Sequence, residues 1–216
     1  MPRGATTSKP FRPGTTGWGA SDLDDPDVEA KWFQGRYEII EGVLTEIPAA
    51  YFSGSRRLFR LQHRIAQYQE SAEIAGDFAN EVDIVIDEPR VVRADAVWMT
   101  PQDDARQAAA VANAPPLATT GAARDPERTR ILVPPTLIIE SLSPGHESHD
   151  RRIKRKWYAE FGVPHYWLFD PFARSLECLV LESGAYRADQ HARGDDELRP
   201  SLFPGLIVPL AQVWPD

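Results

Sequence analysis

The hydrophobic pattern of the chain changes period from segment to segment. Leu58, Leu61, Ile65 and Tyr68 recur at three- and four-residue steps, and Arg56, Arg57, Arg60 and Arg64 fall off that stripe. This spacing predicts an amphipathic helix from about Ser55 to Glu73. Residues 36–47, RYEIIEGVLTEI, carry two short apolar runs on either side of Glu41-Gly42, a turn dipeptide close to Asp-Gly, and read as a hairpin. VDIVIDE and VVRADAVWM read as strands separated by Glu88-Pro89-Arg90. PPTLIIESLSP is continuously apolar before its acid, as strands in the middle of a sheet are. HDRRIKRKWYAEFG reads as a helix over Asp150–Phe161, closed by Gly162 and Pro164. HYWLFD and RSLECLVLE are strands joined at Asp170-Pro171-Phe172-Ala173, and SLFPGLIVPLAQVW carries apolar residues that should pack back on the core.

Strands interleaved with helices predict one α/β domain over residues 22–216, with a mixed central sheet flanked by helices. A short helix is expected over Asp22–Phe33, with Pro26 early and acids in its first turn. Residues 1–21, rich in Gly, Thr and Pro, read as a disordered tail, and Pro101 to about Arg130 as a mobile Ala- and Pro-rich insertion. The 216 residues, 42% hydrophobic and 26% charged, suffice for one domain with a real core. No apolar run approaches the roughly 20 residues needed to span a bilayer, and MPRGATTSKPFRPG lacks the apolar stretch of a secretory signal, so a cytoplasmic location is expected. Cys178 is the sole cysteine. It excludes an intramolecular disulfide and a thiolate zinc cluster, and reads as a small buried side chain.

The formal charge of −8 argues against indiscriminate coating of nucleic acid, which needs clustered cations. The basic residues do bunch, however. Ser55–Arg64 holds four arginines and no acid, and Arg151, Arg152, Lys154, Arg155 and Lys156 follow Asp150. These are either solvated helix faces or the walls of a basic cleft in an acidic body.

Two acids sit where an acid is costly: Asp95 inside VVRADAVWM and Glu140 at the end of TLIIE. On neighbouring strands their carboxylates could meet, and Lys154, on the helix after Glu140, could fold back beside them. Two carboxylates and a lysine suit phosphodiester hydrolysis. The acids hold a hard divalent cation, and the lysine positions water and stabilises charge in the transition state. By spacing alone, surface acids at strand ends remain the plainer alternative. His146 and His149 flank Glu147 as HESH, which is not the HExxH arrangement of a zinc site. No glycine-rich phosphate loop is present, and no organic cofactor is expected.

The stretch LIIESLSPGHESHDRRIKRKWYAEFGVPHYWLFDPFARSLECLVL resembles the signature of the Uma2 family, also called DUF820, of the PD-(D/E)XK or restriction-endonuclease-like superfamily. The matching positions are Glu140, Ser143-Pro144, Asp150, Lys154, Tyr158, Gly162-Val163-Pro164, Tyr166-Trp167 and Asp170-Pro171. RYEIIEGVL is similar to the family's N-terminal hairpin, and VVRADAVW to its Pro-Asp strand, with Ala94 in place of the proline. The resemblance implies a restriction-endonuclease-like α/β core and a metal-dependent endonuclease acting on DNA with Mg²⁺ or Mn²⁺. It implies Asp95 and Glu140 as metal ligands, with the backbone carbonyl of Ser141 completing the shell. The superfamily's lysine two residues after the acid is Leu142 here, so the resemblance points to Lys154 instead. It also matches Glu38 to a hairpin acid that reaches the site through a second metal or a water and joins the catalytic set, where a purely structural role is the alternative. The family's histidine at the start of the first long helix is absent, since the chain reads Gly54-Ser55-Arg56, and His63 lies about two turns beyond. Two other readings stand beside the enzyme: a non-catalytic nucleic-acid-binding module, and a dimeric interaction module, each keeping the fold.

Overall fold

The computed structural model describes residues 9–49, 51–115, 130–143 and 149–214. Among these the strands are β1 (Tyr37–Ile40), β2 (Val43–Glu46), β3 (Asp77–Asp87), β4 (Arg90–Met99), β5 (Leu137–Ser141), β6 (His165–Asp170), β7 (Ser175–Glu182), β8 (Ala185–Arg193), β9 (Glu197–Leu198) and β10 (Val208–Pro209). The helices are α1 (Pro26–Trp32), α2 (Phe52–Ala72), α3 (Pro101–Asn113) and α4 (Arg155–Phe161). β1 to β8 form one mixed sheet in the order β2-β1-β4-β5-β6-β7-β8, with β3 paired to β4. β5 and β6 are parallel and α4 lies in their connection; every other neighbouring pair is antiparallel. The expected α/β class with a mixed sheet flanked by helices is what the chain adopts.

Two cores sandwich the sheet. On one face Leu58, Leu61 and Ile65 of α2 pack with Trp98, Leu137, Ile139, Trp167 and Phe169. Phe203, Leu206, Val208, Leu210, Val213 and Trp214 complete that layer, as the apolar C-terminal segment led us to expect. On the other face Trp157 and Tyr158 of α4 pack with Val97, Ile138, Tyr166 and Leu168. Tyr166 and Trp167 are thus adjacent residues buried on opposite faces of one strand. Cys178 is buried as well, and burial pushes its thiol well above the usual cysteine range.

The hairpin at Glu41-Gly42 has positive φ at both turn residues (48° and 77°), the conformation that matches strand twist in a two-residue turn. β8 follows a similar turn at Ser183-Gly184. β8 was not foreseen, because AYRADQHAR buries only Tyr186 and Ala192 and so carries little apolar signal. The helix expected over Asp150–Phe161 begins instead as a π-helical turn, His149–Lys154, and continues as α4, which ends at Gly162 with φ 92°. π-turns recur at functional sites, and Lys154 is the last residue of this one.

Two readings of the sequence need correction. The disordered tail assigned to residues 1–21 is ordered from residue 9. Thr16 bridges Val43, the Gly14 amide donates to Leu44 O, and Trp18 is buried. Phe11 meets Trp18 and Tyr37 edge-on. Two aromatic anchors hold a segment whose Gly, Thr and Pro content suggested none; residues 1–8 lie outside the described part. The insertion placed at 101–130 likewise begins as α3. Thr100 caps it, Pro101 opens it, and Asp103 closes a reciprocal capping box. The T-P-Q-D signal was present in the sequence and was hidden by the Ala-rich stretch behind it. Residues 116–129 lie outside the described part.

Candidate active site

β4 has two partners along one edge. β1 pairs with it at Val91 and β5 at Ala96–Trp98. Between these registers the backbone of Arg93 meets side chains instead: its N–H donates to Glu38 Oε1 (3.0 Å), and its carbonyl accepts from Lys154 Nζ (3.1 Å). The sheet therefore splits at Arg93–Asp95, and polar groups gather there because the edge would otherwise leave buried backbone groups unsatisfied.

The β4–β5 register pairs Ala96 with Ile139 and Val97 with Ile138. Asp95 and Glu140 are the next residue on each strand beyond the last pair of that register. β4 and β5, which carry the two acids, are neighbours in the sheet. Ile138 is buried on the α4 side and Leu137 and Ile139 on the α2 side, which turns Glu140 toward α4. Glu81, on β3 beside Asp95, has φ 54°. The buried faces of β4 change phase at this level: Val92 and Ala94 pack on the α4 side, Ala96 and Trp98 on the α2 side.

Lys154 Nζ lies 2.9 Å from Glu38 Oε1 and 3.1 Å from Glu140 Oε1. All three side chains are buried. Lys154 is 6% exposed, whereas Lys156 is 73% exposed and pairs with Glu160 across one helical turn. Residues two apart on a helix face apart, and here only Lys154 enters the site. The side chains of His149 and Asp150 lie outside the described part, as does His146.

Asp95 Oδ2 accepts from the Ser141 amide (2.7 Å). Ser141 therefore touches Asp95 through its N–H, which orients the carboxylate. Tyr158 donates to Glu140 Oε1 at 2.6 Å. The sequence placed Tyr158 in a motif without giving it a role, although its four-residue spacing from Lys154 put both on one helical face. Behind the site, Arg93 Nε donates to Asp83 Oδ1 (2.8 Å), and Trp32 Nε1 to Asp83 Oδ2 (2.6 Å). This buried set braces β4 from α1 and β3, and sequence reading missed it because its members are dispersed from Trp32 to Arg93.

Asp95, Glu140, Lys154, Glu38 and Ser141 all line one open cavity of about 300 Å³. The first turns of α2 form its opposite wall. Gly54 brings that helix against Pro171 and Ser141 Oγ, and Arg57 Nη1 donates to Pro171 O at 2.6 Å. His63 does not line the cavity; it stacks on Phe59 further along α2.

The donor set suits a hard cation. Mg²⁺ is ordinarily held by one or two carboxylates, with water and substrate oxygens completing its octahedron. Asp95 and Glu140 are such a pair, facing a cavity wide enough for water and substrate. Among the described residues no group of three or more His, Cys, Asp or Glu is arranged as a metal cage.

A mixed sheet with one parallel pair at its centre, flanked by helices, defines a restriction-endonuclease-like fold. The chain belongs to the Uma2 family, whose model, described as "Putative restriction endonuclease", matches residues 31–211. Among solved structures, the chain is similar to a "putative nuclease belonging to DUF820" from Anabaena variabilis, with a TM-score of 0.60 and 15% identity. That match covers 84% of this chain and 90% of the other. At that identity the likeness speaks for the fold. No curated protein matches the chain. Among the described residues, no helix is long and apolar enough to cross a membrane.

Proposed function

We propose that the protein is a Mg²⁺- or Mn²⁺-dependent endonuclease that hydrolyses DNA phosphodiester bonds. The observation that carries this reading is that Asp95, Glu140 and Lys154 line one cavity, with the lysine buried between Glu140 and Glu38. Asp95 and Glu140 would hold the cation, with the Ser141 carbonyl as a further ligand. When bound, the cation polarises the phosphoryl oxygens and lowers the pKa of water.

The chain's own residues do the rest. The Ser141 amide and the Tyr158 hydroxyl fix the two ligand carboxylates in place. Lys154 lies at the cavity floor, where as an ammonium it would stabilise charge developing on the phosphoryl group and orient the attacking water. Glu38 and the Arg93 carbonyl hold the ammonium at that point. Glu38 is thus a positioning residue for Lys154 in this scheme. The first turn of α2 adds partial positive charge at the opposite wall, which favours an anionic substrate.

The test is cleavage of single- and double-stranded DNA with and without Mg²⁺ or Mn²⁺, with the Glu140→Ala protein alongside. Metal-dependent cleavage lost in Glu140→Ala supports the proposal; cleavage that persists in the variant overturns it. A second reading has one observation in its favour: Lys154 already pairs with both Glu38 and Glu140, as in a purely structural buried cluster. On that reading the protein binds nucleic acid or pairs with its own copy without turnover, and the same assay gives no cleavage under any metal.

A further inference from the structure

Of the five exposed large aromatic side chains among the described residues, four gather at one place on the surface, and the fifth, Phe33, follows α1. Phe52 is 76% exposed, Phe59 66%, Tyr51 53% and Phe172 49%. Tyr51, Phe59 and Phe172 line the mouth of the candidate active-site cavity. Phe52 lines a shallow groove that continues from it along α2 with Arg56, Phe59 and Arg60. The Arg56 guanidinium lies 5.5 Å from the centre of the Phe52 ring, and Tyr51 meets Phe172 edge-on at 5.4 Å. Clustered exposed apolar surface marks an interaction site.

We propose that this rim is a base-stacking platform, and that the site takes single-stranded DNA in preference to an intact duplex. The proposal rests on the nuclease reading for what happens at the cavity floor. Its own support is the chemistry of the rim. Aromatic faces interleaved with arginines bind unpaired strands, because every base offers a π-face and each arginine holds a phosphate. A chain of formal charge −8 places four arginines and no acid along Ser55–Arg64, so the charge at the rim complements a polyanion while the body repels one. In a duplex the base faces are already stacked on one another and the phosphates ride on a stiff cylinder. A flexible strand can lay two or three bases on the rings and dip one phosphate toward the buried Glu140 and Lys154. The cavity, at the small end of the range for ligand pockets, is scaled to a nucleotide rather than to a double helix.

The experiment uses the full chain in metal-free buffer, so that binding is read apart from cleavage. Fluorescence anisotropy compares a labelled 12-nucleotide dT strand, a 12-base-pair duplex, and an abasic strand of the same length. The dT strand is expected to bind at least about 10-fold more tightly than either of the others. Phe52→Ala and Phe59→Ala are each expected to weaken dT binding by about 5- to 100-fold, with the abasic strand unchanged. Both rings are solvent-exposed, so thermal melts of these variants should overlay the parent. Equal affinity for dT strand and duplex overturns the proposal, as does parental dT affinity in both variants. A dimer in light scattering that the two variants dissociate also overturns it, and assigns the rings to a self-interface. Cleavage assays with Mg²⁺ on the same preparations separate the two readings. A dT preference without cleavage removes the nuclease and keeps the platform; cleavage without strand preference does the reverse.

Discussion

The Tyr158 hydroxyl donates to Glu140 Oε1 at 2.6 Å, the same oxygen that Lys154 Nζ reaches at 3.1 Å. Two donors on successive turns of one helical segment thus converge on one buried carboxylate and set its orientation. Tyr158→Phe keeps the ring that packs against Tyr166 and removes the donor. If Glu140 is a metal ligand, that orientation matters for turnover. Single-turnover cleavage is expected to fall about 10-fold, within the range for loss of a group that orients a ligand. The stability loss should be near 1 kcal/mol, or a melting shift of about 2–4 °C. A parental cleavage rate in Tyr158→Phe would show that the hydrogen bond serves folding alone.

Lys154 and Lys156 should separate cleanly. Lys154→Ala is expected to reduce cleavage by about 10²–10⁴-fold with metal binding kept, whereas Lys156→Ala, on the exposed face, should leave it near the parental rate. Lys154→Ala also leaves Glu38 and Glu140 buried without their ammonium, a loss of about 3–5 kcal/mol. A divalent cation at the same carboxylates would offset part of it. Millimolar Mg²⁺ should therefore raise the melting temperature of Lys154→Ala more than that of the parent. An equal response to Mg²⁺ in both proteins would count against cation binding at Glu140.

Replacing residues 101–130 with a short Gly/Ser linker should lower the melting temperature by more than about 10 °C. α3 buries Val111, and Gln107 bridges the chain by accepting from the Leu132 amide and donating to Arg130 O. Asp103 ties the start of α3 to Thr136, just before β5. Several contacts of about 1 kcal/mol each are removed together, at about 2–4 °C per kcal/mol. Differential scanning calorimetry decides it; an unchanged transition would make α3 a surface ornament.

Asp103 should add an acid-sensitive component to stability. Burial raises its pKa, but hydrogen bonds from Thr136, Thr100 and Arg106 outweigh that and hold the carboxyl below its ordinary value. A depressed folded-state pKa stabilises the fold above the unfolded value of about 3.9, and that stability is lost as pH falls through the folded value. Asp103→Ala should thus melt lower than the parent at pH 7 by about 1–2 kcal/mol. The gap should close as the pH is lowered stepwise from 5 to 2. A gap that stays constant over that range would mean that the carboxylate's charge contributes nothing.

The sequence by itself determined the elements whose side chains repeat with a clear period. The α2 stripe Leu58–Leu61–Ile65, the apolar run Leu137–Ile139 and the hairpin at Glu41-Gly42 are local signals, and each formed where its pattern placed it. The motif around Glu140 to Asp170 also carried the family. Local signals failed where the stabilising partners were distant. Phe11 and Trp18 order a Gly- and Pro-rich segment only because Leu23, Trp32, Ile39, Leu44 and Val91 stand ready to receive them. β8 pairs with β7 through backbone bonds that its polar side chains do not announce. The site itself was legible only as a list of acids and a lysine. Tertiary structure decided that the strands carrying Asp95 and Glu140 are neighbours, that Lys154 is buried while Lys156 stays in water, and that Glu38 arrives from the first hairpin to meet the lysine. These choices depend on β1 and β5 dividing one edge of β4. That arrangement brings together residues from 38 to 154, and it has no counterpart in the spacing of neighbouring residues, because strand order is set by which buried faces fit together and not by any one segment.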